Sequence, residues 1–129
     1  MPSPASLRDR FYQLVALGSL GAATFHGLSA AGVMVGDGSP TWRHLLFAGI
    51  DTVGAWLLLR RPRWLVFPMA LLTAQQFQSH GSRIVTWWNR DRSLDWISII
   101  LLIALSATVA LLWRERADAR ATYANPERP

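Results

Sequence analysis

Between Asp95 and Arg114 the chain runs without a charged residue, through Trp-Ile-Ser-Ile-Ile-Leu-Leu-Ile-Ala-Leu-Ser-Ala-Thr-Val-Ala-Leu-Leu-Trp. As a helix rising about 1.5 Å per residue, this run is close to the ~30 Å thickness of a bilayer's hydrocarbon core. It must therefore either be buried inside a soluble bundle or cross a membrane. Composition favours the membrane. Of 129 residues, 51% are hydrophobic, 16% are charged and seven are Trp, unlike an ordinary soluble domain of this size.

Three further apolar runs precede it, and the spacing predicts an all-α, polytopic membrane protein. The expected four-transmembrane-helix bundle has spans of about 11–35, 42–60, 63–88 and 94–113, with residues 114–129 as a tail. The first span competes with a secretory signal peptide flanked by Arg8 and Arg10 and cut near Ser29-Ala30-Ala31. A hydrophobic region about twice the usual length, carrying His26, argues against cleavage. Gly18/Ala22, Ala23/Gly27 and Gly27/Ala31 are small-xxx-small pairs, which read as tight helix packing.

Gly36-Asp-Gly-Ser-Pro-Thr41 breaks the chain, with Ser39 or Thr41 expected to cap the second helix. Arg60-Arg-Pro-Arg63 makes the next turn. The third span is the weakest by hydropathy. It contains Thr73-Ala-Gln-Gln-Phe-Gln-Ser-His-Gly-Ser-Arg83, and Gly81 is an expected kink or helix end. Asp91 or Ser93 is expected to cap the fourth helix. Arg114 and Asp118 are spaced for an i,i+4 pair in its continuation, and Asn125-Pro126 should end it.

The basic excess of +5 comes wholly from Arg. Four spans place Arg8, Arg10, Arg60, Arg61, Arg63, Arg114, Arg116, Arg120 and Arg128 on one side, and Arg43, Arg83, Arg90 and Arg92 on the other. That asymmetry predicts both termini in the cytoplasm, and an all-Arg set points to a GC-rich bacterium and its inner membrane. Trp42, Trp87, Trp88 and Trp96 then mark the outer interface, Trp64 and Trp113 the inner one, and Trp56 fits neither. Charges serving as membrane flanks do not form the basic face that a nucleic-acid partner needs. The absence of Cys excludes disulfides, thiolate metal sites and thiol catalysis.

The costliest residues for such a chain are those that titrate inside it. Counted from the outer helix ends, His26 lies about 14 Å deep, Asp51 about 10 Å and His80 about 12 Å. Thr73, Gln76, His80 and Arg83 share one stripe of the third helix, which cannot face lipid. His26, Asp51, Thr73, Gln76 and His80 are thus expected to form an inward polar pocket centred on Asp51. His44, Arg83 and Asp95 would stand at its mouth. An intramembrane carboxylate is a functional candidate by default, whereas His44 and Arg83 also suit a simple anchoring role.

No motif identifies a reaction. The pocket suits a proton or a small ligand; the polar stripe suits an accessory subunit docking on a larger membrane complex, or self-association. Haem or metal enzymology is the third expectation. His26 and His80 are candidate axial ligands of a b-type haem, and His26, Asp51 and His80 candidate ligands of a non-thiolate metal such as iron or zinc.

Overall fold

The computed structural model describes residues 6–34 and 38–124, with the side chains of 121–124 excepted. Its described residues form four helices and no strand: α1 Leu7–Ala30, α2 Thr41–Arg60, α3 Val66–Asp91 and α4 Trp96–Ala124. A 3-10 turn, Arg63–Leu65, leads into α3. The chain divides into two compact units, Met1–Arg61 and Pro62–Pro129. Each is an antiparallel helical hairpin.

The helix ends follow local chemistry. The first helix begins four residues before the apolar run, because Ser6 and Asp9 form a reciprocal capping box: the Ser6 hydroxyl accepts from the Asp9 N–H, and the Asp9 carboxylate accepts from the Ser6 N–H. It stops at Ala30 rather than 35, where Gly32 takes a left-handed φ of 70° that a side chain would strain. Val35, Gly36 and Asp37, part of the expected break, lie outside the described residues. At α2 the expected Ser39 or Thr41 cap is absent. Pro40 stands at the N-cap without a side-chain bond, and the Ser39 hydroxyl instead accepts from Arg43 Nη1 at 3.0 Å.

The third helix passes through Gly81 and ends at Asp91, so Gly81 does not terminate it. Neither Asp91 nor Ser93 caps α4. Asp95 does, its Oδ1 accepting from the Ser98 N–H at 3.2 Å, while Asp91 holds its neighbour Arg90. Among the described residues Arg114 makes no ion pair, so the expected bond to Asp118 does not form. Asn125, Pro126 and the rest of the tail lie outside the described residues.

In the first hairpin α1 packs on α2, with Tyr12, Ala16, Ala55 and Leu58 buried. In the second, α3 packs on α4. There α4 buries Ser98, Leu102, Leu105, Thr108 and Leu112, a three-and-four spacing that keeps one stripe inward. Thr73 and Thr108 are buried hydroxyls, and each satisfies itself on its own helix by donating to the carbonyl four residues back.

By length and composition α4 is the one described helix able to cross a membrane, over Trp96–Arg120 with a mean hydropathy of 2.4. The other three, expected as spans, do not reach that level. The reasons are visible in their sequences: α3 carries Gln75, Gln76, Gln78, His80 and Arg83, and α2 carries Asp51 between terminal arginines.

Candidate functional site: a histidine clasp within each hairpin

Each hairpin joins a histidine on its first helix to a polar side chain near the start of its second. Antiparallel packing makes this possible, since residues gained along one helix are matched by residues lost along the other. In the first hairpin the match runs from Asp9 with Arg61 at one end to His26 with His44 near the other. Arg61, in a left-handed turn with φ 48° before Pro62, reaches back to Asp9 at 2.8 Å and lies over the Tyr12 ring. The Ser6 hydroxyl, the Ser6 N–H and then the Arg61 guanidinium hold the Asp9 carboxyl below its usual range.

His26 Nδ1 and His44 Nδ1 lie 3.0 Å apart. One ring must donate and the other accept, so a neutral pair holds opposite tautomers. A pair protonated on both rings would set N–H against N–H and break the bond. His26 is further held between aromatic neighbours, stacked on Phe47 and edge-on to Phe25. His44, expected at a pocket mouth or as an interfacial anchor, is instead 3% exposed and joined to His26. Asp51, expected as the centre of the site, is half-buried on α2 and makes no hydrogen bond or ion pair among the described residues.

In the second hairpin four side chains form one relay. Arg83 Nε donates to Asp95 Oδ2 at 2.9 Å, and the Ser98 hydroxyl donates to the same oxygen at 2.7 Å. Ser98 Oγ lies 2.7 Å from His80 Nδ1. The proton inventory decides the direction of each bond. The Ser98 side-chain and backbone bonds and Arg83 hold the Asp95 carboxyl below its usual range, so it is an acceptor alone. Ser98 has one hydroxyl hydrogen and spends it on Asp95. His80 must therefore donate from Nδ1, which leaves Nε2 as the basic nitrogen of the neutral ring.

This order of groups is not that of a nucleophilic triad. There the serine hydrogen goes to imidazole, and the carboxylate holds the far side of the ring. Here the serine sits between carboxylate and imidazole and is fully buried. The arrangement instead fixes the ring's tautomer and orientation through a buried hydroxyl, as outer-shell groups do around ligating or proton-carrying histidines. His80 Nε2 makes no hydrogen bond to any described residue.

The other expected members are placed as follows. Thr73 is buried but bonded to Met69 of its own helix, and Gln76 donates to the neighbouring Gln75 side chain. Arg83 and Asp95, assigned to the mouth, join His80 through Ser98. Ser98 was not singled out by sequence, although an Asp three residues before a Ser at a helix start is the spacing of a cap. Among the described residues no group of three or more His, Asp or Glu side chains is arranged to hold a metal ion. No known protein family, characterised protein or solved structure matches this chain.

Proposed function

We propose that the chain is a small multi-pass protein of a bacterial inner membrane, in which each hairpin crosses the bilayer and returns, with both termini in the cytoplasm. On this reading its chemistry is the binding of a proton or a small hydrogen-bonding ligand at the clasped histidines, above all at His80 Nε2. The observation that carries the membrane part is the exposure of the largest apolar side chains. All seven tryptophans are exposed, and only 28% of the apolar window of α4 is buried, with Ile97 80% and Ile100 64% exposed. A core helix of a soluble protein hides such a surface, whereas lipid requires it.

Arginine supports the same reading. Arg60, Arg83 and Arg92 each lie over a tryptophan, Trp56, Trp87 and Trp88 respectively, at 5.7 Å. Such pairs suit the headgroup layer, where a flat ring meets a cation reaching out from the helix. Trp56, which fits neither predicted belt, is explained as the partner of Arg60. An accessory-subunit role is the second reading. It is favoured by Gly18, Gly21 and Gly27, where an added Cβ would meet nothing within 4 Å. These glycines thus do not serve close packing within the described chain, and they leave room for another helix.

Topology tests the membrane part directly. A reporter active only outside the cytoplasm is expected to work when fused after Asn89 and to stay silent when fused after Thr122. Activity at both positions, or the reverse pattern, contradicts two crossing hairpins.

A further inference from the structure

We propose that the second hairpin carries a binding site for the phosphate headgroup of an anionic phospholipid, in the cleft where the start of α3 meets the end of α4. The cleft has a volume of about 280 Å³ and is lined by Arg63, Trp64, Phe67, Arg116 and Arg120. Three of its five lining residues are guanidinium side chains and none is acidic. Arg116 and Arg120, one helical turn apart on the same face of α4, make no ion pair with any described residue. The Arg116 guanidinium lies over the Phe67 ring at 4.4 Å. A guanidinium laid on a ring keeps its in-plane N–H donors for an oxyanion, and its fork matches phosphate geometry.

Depth selects the source of the phosphate, and here the inference rests on the membrane reading above. From Trp96 to Trp113 the helix spans about 26 Å, close to the hydrocarbon thickness. Arg116 and Arg120 then lie about 5 and 10 Å beyond it, in and at the edge of the headgroup layer. Trp64, exposed beside the cleft, provides the interfacial aromatic. Basic pockets at the cytoplasmic ends of helices are where anionic headgroups bind, and each arginine strengthens the attraction. The neutralised cleft would also fix how the helix ends meet the membrane surface.

The test uses the full chain in detergent, with phosphatidylglycerol and phosphatidylcholine of the same acyl chains, followed by native mass spectrometry. Phosphatidylglycerol is expected to bind about tenfold or more in preference. The preference should fall to near unity in Arg116→Gln/Arg120→Gln, and partly in Arg120→Gln, an exposed change that leaves the fold intact. Equal binding of the two lipids, or a preference that survives in a double variant of unchanged helicity, overturns the proposal. Glycerol phosphate that displaces phosphatidylglycerol also overturns it, assigning the cleft to a soluble phosphate. A chain that washes from neutral vesicles at alkaline pH contradicts the membrane reading and this one together, whereas a chain that stays embedded without discriminating contradicts this one alone.

Discussion

The two hairpins solve one problem with different chemistry. Both bond a histidine on the first helix to a residue 18 positions later, on the opposing helix. In the first, the partner is another imidazole, so either ring can donate and the proton's place is not fixed by the pair. In the second, the partner is a hydroxyl already committed to an ionised carboxylate, so the histidine has one role. A symmetric clasp leaves a switch open; a clasp backed by charge sets it. The other ends differ as well. Asp9 and Arg61 pair directly, whereas Arg116 rests on an aromatic ring and keeps its charge for another partner.

The largest effect should come from removing the charge behind the second clasp. Asp95→Ala deletes a helix cap, an ion pair to Arg83 and the acceptor for Ser98 at once. A cap contributes about 1 kcal/mol, the lost acceptor of the buried Ser98 hydroxyl about as much again and the half-exposed Arg83 pair up to about 1 more, so a loss of about 3 kcal/mol is expected in thermal or denaturant unfolding followed by circular dichroism. A loss no larger than that of His44→Ala would remove the contrast between the two clasps.

His44→Ala should cost less, about 2 kcal/mol, through a lost hydrogen bond and the space left by a buried ring. His44→Phe refills the space but not the bond, and should recover about half of that. If His44→Phe is as stable as the parent, the histidine pair serves packing, and the first hairpin has no proton to switch.

The smallest effect separates the hairpins by acid. Asp9 and Asp95 both hold their carboxyls below the ordinary value of 3.8. An unfolded chain therefore takes up protons more readily than the folded one at these positions. Their contribution is present above that ordinary value and is lost as pH falls through the lower folded values. Asp9→Asn and Asp95→Asn should each flatten the loss of stability between about pH 5 and 2, with Asp95→Asn flattening it more because its network is the less exposed. Steeper acid sensitivity in either variant would contradict the assignment.

How much of this was legible in the chain differs from residue to residue. Helix number and approximate limits followed from apolar run length and from Pro and Gly between the runs. The start of α1 was written in Ser6 and Asp9, but an apolar count alone places it at Phe11. His44 looked interfacial because it stands only four positions into its helix. Its pairing with His26 depends on where the intervening turn bends, which no local pattern of apolar residues encodes. Arg83, Asp95 and His80 were each visible as polar residues in apolar surroundings. Their connection required Ser98, whose spacing from Asp95 reads as an ordinary cap until the facing helix supplies the imidazole. Asp51 drew attention through its cost alone, and the structure gives it no hydrogen-bonding partner among the described residues.

The central claim is that Asp95, acting through Ser98, fixes the proton of His80. Nitrogen NMR of the ¹⁵N-histidine-labelled full chain in detergent micelles reads the tautomer of each ring. In its neutral form His80 is expected to carry its hydrogen on Nδ1, leaving Nε2 as the basic nitrogen. Ser98→Ala should shift His80 to the mixture of an unrestrained imidazole while leaving the His26–His44 signals in place. A His80 ring that carries its hydrogen on Nε2 in the parent, or one whose tautomer is unchanged in Ser98→Ala, would contradict the account.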